Sequence, residues 1–416
     1  MQLIAKIEQR VHLDLTYFIT GGFWIGIGQI GSLVLSFALS VVFARFLTPE
    51  TYGTYRYLTS IVATVGLFSL TGLGTAVSQA AASGKTGTLR TAFTSQLHWS
   101  MFMSIVSAGL TVYSAWRGNY NFFVIFSILM VTGPVYAAHS LYDSFLYGLG
   151  KFRLGTLYAI ISNTICSLFL ILAAGFNSLF IVLFPLQYVI QAIFSIVFYR
   201  RTLKLLPSNA PVDDNATSYG KRLSLINILA AISDQADSII LFIIAGPANL
   251  AVYSFATAIP EVIKGLLKMI TPLSIPKLTQ TDSLIFRQSL PVRLLQIFSV
   301  TAVIIAGYIF IAPFIFNTFF PNYNNAVIYS QIYIISLLMT PFYFLNAFFQ
   351  AKKMLSHIFL THTVSPTIQI ALMVFMTIQW GLMGLVFARI IGRLANLFFS
   401  LFLTLKDANI SHGARS

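Results

Sequence analysis

The sequence predicts an all-α polytopic membrane protein of about twelve transmembrane helices in two six-helix lobes, and three observations carry that prediction. Of the 416 residues, 57% are hydrophobic and only 9% are charged, and the mean hydropathy is +0.82. The apolar residues fall in long continuous runs, not in the short alternating segments of a membrane β-barrel. The basic residues collect in every second break between those runs.

Each run is long enough for its task. A helix needs about 20 mostly apolar residues to cross roughly 30 Å of hydrocarbon. Helices are required because lipid offers no partners to free backbone N–H and C=O groups. The expected spans are 17–43, 56–81, 91–116, 121–147, 154–175, 178–199, 223–245, 249–274, 294–316, 326–349, 355–378 and 381–404. Between them no stretch is long enough for a soluble domain of about 50 residues or more. The N-terminal MQLIAKIEQRVHLDL lacks an apolar core followed by a small-residue cleavage site, so the first run is expected to remain as a span.

The breaks set the orientation. Lys6 and Arg10 precede the first span. Lys85 and Arg90 follow the second, and Lys151 and Arg153 follow the fourth. Arg200, Arg201, Lys204, Lys221 and Arg222 follow the sixth, and Lys277, Arg287 and Arg293 follow the eighth. Lys352 and Lys353 follow the tenth, and Lys406 and Arg415 follow the twelfth. The opposite side carries only Arg45, Arg56 and Arg117. By the positive-inside rule both termini are cytoplasmic and the chain is a multi-pass inner-membrane protein. The same count supports insertion of the eighth span despite Glu261, Lys264 and Lys268, because its loss would move the later basic breaks outside.

Residues 201–222, rich in Pro, Asn, Asp and Ser, read as a cytoplasmic linker between a first lobe, 1–200, and a second, 223–416. The halves echo each other. Pro49 and Tyr55 match Pro247 and Tyr253 at one offset, and Asn119-Tyr120-Asn121 matches Asn322-Tyr323-Asn324 at a similar one. An even number of spans per half gives parallel repeats about an axis along the membrane normal.

Composition and motifs exclude several classes. The net charge of +14 is spread over loops with no basic domain to hold nucleic acid. Cys166 is the single cysteine, so neither a disulfide nor a cysteine metal cluster is possible within the chain. There is no phosphate-binding GxxxxGK[ST] loop, no HExxH and no GxSxG. No cofactor and no enzymatic role are expected. The chemistry points to a protein that moves something.

The charges inside spans are the candidate functional residues, since a charge at mid-bilayer costs about 2.5–3.5 kcal/mol on insertion scales. Glu261, Lys264 and Lys268 share one helix face at i, i+3 and i+7. Asp234 and Asp237 lie i, i+3 on the seventh span. Arg389 and Arg393 lie i, i+4 on the twelfth, followed by Asn396. His139 and Asp143 lie i, i+4 on the fourth, and His98 is in the third. Arg45 closes the first span and Arg56 opens the second. The structural reading has Asp234 and Asp237 paired with Lys264, Glu261 paired with Lys264 along its own helix, and Arg45, Arg56 and Lys268 snorkelling to headgroups. Arg389 and Arg393 repel each other unless acids from other helices, or an anion, lie beside them. The functional reading is a cationic inter-lobe cavity lined by Arg45, Arg56, Lys264, Arg389 and Arg393, which suits a phosphate- or carboxylate-bearing substrate. Asp234, Asp237 and Glu261 are then the candidates for coupling to a counter-ion, H⁺ or Na⁺.

Five segments carry a resemblance. Ala44-Arg-Phe-Leu-Thr-Pro-Glu-Thr-Tyr-Gly-Thr-Tyr55 resembles the AR-x-L-x-P-x-x-x-G-x-Y signature of polysaccharide flippases. These are the Wzx-type O-antigen and capsule exporters of the multidrug/oligosaccharidyl-lipid/polysaccharide superfamily. Tyr147-Gly-Leu-Gly-Lys-Phe152 resembles that family's GLG[KR][FY] turn. Asp234-Gln-Ala-Asp-Ser-Ile-Ile240, Leu250-Ala-Val-Tyr-Ser-Phe-Ala256 and Phe320-Pro-Asn-Tyr-Asn-Asn-Ala-Val327 are similar to later family segments in the same order. The resemblance implies a flippase in the bacterial inner membrane. Its substrate would be an undecaprenyl-pyrophosphate-linked oligosaccharide, an O-antigen, capsule or exopolysaccharide repeat unit. It would pass from the cytoplasmic to the periplasmic leaflet by alternating access, beside polymerase and chain-length partners. Arg45 stands at the family's motif position; the other cations rest on charge alone. Two other classes remain open: a multidrug or small-cation exporter of the related branch, and a non-transporting partner in envelope polysaccharide assembly.

Overall fold

A computed structural model describes residues 15–176, 180–207, 209–268, 274, 278, 283–352 and 354–413. Lys6, Arg10, Lys277, Lys353 and Arg415 lie outside the described residues. The helices in order are α1 (Leu15–Phe46), α2 (Pro49–Gly66), α3 (Leu73–Ala82), α4 (Thr88–Trp116), α5 (Tyr120–His139), α6 (Leu141–Gly148) and α7 (Phe152–Phe176). They continue as α8 (Phe180–Leu203), α9 (Ala216–Ala245), α10 (Pro247–Lys268), α11 (Ser283–Phe319), α12 (Ala326–Tyr333), α13 (Pro341–Ala351) and α14 (Leu355–Gly413). No strand occurs among the described residues.

Among the described residues nine helical stretches are long and apolar enough to cross a membrane, two of them, Tyr120–Gly148 and Ala326–Ala351, joining neighbouring helices. The second span is a bent pair, Pro49–Ser69 and Leu73–Ala82, meeting at 53°. Leu70, in the break, takes a left-handed φ of 61°, a conformation that costs a non-glycine residue about 1–2 kcal/mol. The third span is α4, long enough at 29 residues but carrying Arg90, Gln96 and His98 in its first turns. The last two spans form one helix, α14, broken at Trp380 and Gly381. Gly381 sits at φ 55°, ψ −135°, a region open essentially to glycine alone. The legs on either side of it run antiparallel. Ser365 Oγ donates to Asn396 Oδ1 at 2.9 Å, and a Cβ on Gly392 would lie 2.8 Å from Gln369. Each of the twelve expected spans therefore has its helix.

Side-chain registers follow the expected alternation of span direction. The neighbours α4 and α5 run antiparallel, with Gln96 Nε2 donating to the Ala137 carbonyl at 2.9 Å and Ser104 Oγ to the Met130 carbonyl at 2.7 Å. The first and fifth spans run parallel, through Thr156 Oγ1 to the Trp24 carbonyl at 3.2 Å and Asn163 Nδ2 to Ser32 Oγ at 3.3 Å.

Prolines within helices shape these contacts. Pro134 lacks an N–H, which leaves the Met130 carbonyl without its helical donor. The Ser104 hydroxyl from α4 supplies that hydrogen bond. Pro313 frees the Ile309 carbonyl in the same way, and Gln331 Nε2 donates to it at 2.9 Å. In lipid such replacements are what make an interior proline tolerable.

The chain divides into two compact units: Met1–Phe46 with Val62–Leu225, and Leu47–Ile61 with Ile226–Ser416. Two stretches lie away from their chain neighbours. The first, Leu47–Ile61, packs on α10. A Cβ at Gly53 would sit 1.8 Å from the Pro247 carbonyl oxygen, so only glycine permits this approach of the two backbones. Tyr52 stacks on Phe255 at 4.4 Å and Tyr57 on Phe242 at 3.8 Å. The two segments that echo each other in sequence thus meet in space. The second is the start of α9, which belongs to the first unit. Ala216 packs with Ala76 and Ala80, and Ser224 Oγ accepts from Gly72 N at 2.9 Å.

The polar segment before α9 is tied down within the first unit. Gly87 N donates to the Pro211 carbonyl at 2.9 Å, Asp213 N to Thr88 Oγ1 at 2.8 Å, and Lys85 Nζ lies 3.4 Å from Asp213. The core of the second unit is aromatic, with Phe286 stacked face to face on Phe348 at 3.8 Å.

Candidate functional site

Six of the eight residues proposed to bind substrate or couple an ion form one cluster in the second unit. Arg389, on the second leg of α14, reaches α9. Its Nη2 lies 2.6 Å and its Nε 3.1 Å from Asp237 Oδ2, and Nη2 also donates to the Asp234 carbonyl at 3.1 Å. The Asp234 carboxylate is 3.8 Å from Nη1, with its side chain 69% exposed. Asp237 is further held by the Tyr253 hydroxyl at 2.7 Å and by Ser238 N at 2.7 Å. One turn on, Arg393 Nη2 donates to Glu261 Oε1 at 2.5 Å and Nη1 to Ser336 Oγ at 2.8 Å. Its guanidinium carbon lies 5.0 Å from the centre of the Tyr333 ring, a cation–π distance. The Tyr333 hydroxyl donates to Glu261 Oε1 at 2.5 Å, and Lys264 pairs with Glu261 Oε2.

The cluster joins α9, α10, α12, α14 and the 3-10 turn Ile334–Met339. Its cations are Arg389, Arg393 and Lys264; its carboxylates are Asp234, Asp237 and Glu261. The formal charges cancel. Arg389 is 3% exposed and Arg393 5%, so both are buried and already satisfied. The repulsion expected between them is offset by acids on two other helices. The expected pairing of Lys264 with Asp234 and Asp237 is replaced. Arg389 occupies Asp237, and Lys264 keeps to its own helix with Glu261. Lys268, at the end of α10, is exposed.

The remaining two candidates differ from these. Arg45 ends α1 and is exposed. Arg56 lies on α2, half-buried, and its Nε is buried without a hydrogen-bond partner. Among the described residues no carboxylate pairs with the Arg56 guanidinium. In the first unit, His98 Nδ1 donates to the Thr94 carbonyl at 2.7 Å and His139 Nδ1 to the Val135 carbonyl at 2.7 Å. Both histidines are therefore satisfied within their own helices. Asp143 keeps a buried Oδ1 without a partner. Among the described residues no group of three or more His, Cys, Asp or Glu is placed to hold a metal ion.

Sequence reasoning missed Tyr253, Tyr333, Ser238 and Ser336, the neutral groups that complete the cluster. Tyr253 alone had a signal, as the tyrosine of the echo segment.

The apolar helices and their order define a polytopic all-α membrane protein. Residues 18–282 match the family described as polysaccharide biosynthesis protein, and the chain belongs to that family. Among solved structures it is similar to an inward-facing multidrug resistance MATE family transporter of the MOP superfamily. The identity is 12%, the TM-score 0.67, and the match covers 95% of this chain and 100% of that one. An outward-facing transporter of the same description matches at 13% identity and TM-score 0.64, over 95% and 96%. The lipid II flippase MurJ in an inward closed conformation matches at 14% identity and TM-score 0.66, over 92% and 87%. At these identities the likeness speaks for the fold. A comparison with curated proteins gives no match.

Proposed function

We propose that the protein is a flippase for an undecaprenyl-pyrophosphate-linked oligosaccharide, moving it from the cytoplasmic to the periplasmic leaflet of the inner membrane by alternating access. The observation that carries the reading is Arg56, a half-buried cation on a membrane helix whose buried Nε has no hydrogen-bond partner and which no acid pairs among the described residues, in a chain of the polysaccharide biosynthesis family. Arg389, Arg393 and Lys264 spend their charge on Asp237 and Glu261. Of the second unit's candidate cations, Arg56 is therefore the one left to an incoming anion. The guanidinium fork suits phosphate oxygens bidentately.

A protein path is needed because each unpaired charge and each sugar hydroxyl carries a large desolvation cost in hydrocarbon. The polyprenyl tail stays in lipid. Carrying about two negative charges outward gains roughly 4.6 kcal/mol at 100 mV, inside negative, so the membrane potential can drive the step. If a counter-ion contributes, Asp234 is the acid with an open face. Asp237 and Glu261 are engaged.

The test is cellular. In a strain whose own exporter is deleted, expression of this chain should clear the accumulated cytoplasmic lipid-linked oligosaccharide and leave sensitivity to cationic drugs unchanged. Drug resistance without clearance would instead establish the multidrug reading.

A further inference from the structure

The first unit contains a half-open chamber of about 440 Å³ between α2, α3, α4, α5, α6 and α8. Its size lies within the roughly 300–1,000 Å³ of small-molecule sites. The break in the second span forms one wall, where Gly66, Leu67, Ser69 and Thr71 line it beside the left-handed Leu70. Gln96, Gln191, Tyr136, Tyr188, Ser140 and Ser144 supply polar groups from the other walls. No Lys, Arg, Asp or Glu lines it. Without a charge, that composition suits neither a pyrophosphate nor a cation, and Val62, Leu67, Met103 and Leu141 add apolar surface between the polar groups.

Gln96 lines the chamber with a side-chain amide that is only half satisfied. The residue is 5% exposed. Its Nε2 is fixed on the Ala137 carbonyl at 2.9 Å, which orients the amide. Its Oε1 is buried and has no hydrogen-bond partner. A buried acceptor left in that state costs about 1–3 kcal/mol, and a hydroxyl donor placed in the chamber would recover it.

We propose that this chamber is a sugar subsite: it takes an uncharged hexose or N-acetylhexosamine ring of the lipid-linked substrate, with Gln96 Oε1 accepting from a ring hydroxyl. The inference rests on the flippase reading and adds the part of the substrate that Arg56 does not address. Tyr136 and Tyr188 offer flat apolar faces with polar tips, and Gln191, Ser140 and Ser144 offer both donors and acceptors. A neutral, polyhydroxylated ring matches that inventory. Gln96 lies eight residues into α4, about 12 Å along the helix. That is the end which the basic loops assign to the cytoplasm, where the substrate is assembled.

The test measures binding to the purified full chain in nanodiscs. The probes are undecaprenyl pyrophosphate and the same carrier bearing one glucose, galactose or N-acetylglucosamine. Wild type should bind at least one glycosylated carrier about tenfold more tightly than the bare one. Gln96→Leu should erase that difference while keeping the affinity for the bare carrier. Gly66→Leu should do the same by filling the chamber, since a Cβ there meets nothing within 4 Å and the backbone, at φ −61° and ψ −23°, suits any residue. Gln191→Leu stands in if either variant fails to fold. A bare carrier that binds with no sugar-dependent gain, or a gain kept by all variants, overturns the subsite and leaves the flippase reading standing. Failure to bind any carrier overturns the flippase reading, and the subsite falls with it.

Discussion

The Arg389–Asp237 pair gives the sharpest expectation about what holds the second unit together. Asp237→Ala removes the main partner of a guanidinium that is 3% exposed. Breaking a buried pair by deleting one partner costs about 3–5 kcal/mol, because the other charge stays buried and uncompensated. The Asp234 carbonyl at 3.1 Å and carboxylate at 3.8 Å remain near Arg389, which favours the lower end. The Tyr253 hydroxyl also loses its acceptor. At about 2.1 cal/mol/K of unfolding entropy per residue, a chain of 416 residues melting as one unit loses roughly 3–6 °C. Replacing a whole buried pair by apolar groups is often close to neutral, so adding Arg389→Leu to Asp237→Ala should recover most of the loss. The assay is thermal unfolding of the detergent-purified protein, followed by loss of its monodisperse elution peak. An Asp237→Ala variant that melts with wild type would refute the reasoning. So would a double variant that melts no higher than Asp237→Ala alone.

Two further outcomes follow from the packing. Gly53→Ala places a Cβ 1.8 Å from the Pro247 carbonyl oxygen. Since backbone must move to admit it, the same melting assay should show a loss of about 1–3 kcal/mol. Ser104→Ala should cost about 1 kcal/mol in the wild-type background. It should cost less when Pro134→Ala restores a helical donor to the Met130 carbonyl, and a double-variant cycle measures that difference.

The span positions were legible because each apolar run is long and each break is polar. The break at Leu70 was not, although Gly66, Ser69, Thr71 and Gly72 surround it, because small residues of this kind also occur within unbroken membrane helices. Nor was the hairpin within α14 readable in detail, although Trp380 fell in the predicted gap and Gly381 at the start of the last expected span. Among the candidate residues, the Glu261–Lys264 pair was readable, since i, i+3 neighbours share a helix face. The arginine pairings were not. Arg389 and Asp237 are separated by 152 residues, Arg393 and Glu261 by 132. Which acid faces which base depends on helix rotation, which periodicity does not set when all faces are apolar. The chamber in the first unit left no signal for a different reason: its lining carries no charge to mark it. Tyr333 stood among 19 tyrosines with no local feature to mark its hydroxyl as the partner of a buried carboxylate, and the echo that marked Tyr253 did not point to Asp237.

The central claim is that the chain moves an anionic lipid-linked sugar past Arg56. Purified protein in unilamellar vesicles, with a fluorescent undecaprenyl-pyrophosphate-linked oligosaccharide and a membrane-impermeant quencher, reports transfer between leaflets directly. Wild type should transfer the lipid well above protein-free vesicles. Arg56→Lys should keep part of the rate, and Arg56→Ala should lose about tenfold or more, the loss of one charge-assisted contact of about 1.5–3 kcal/mol, with an unchanged melting temperature. Transfer by Arg56→Ala at the wild-type rate, or no transfer by wild type, would contradict the account.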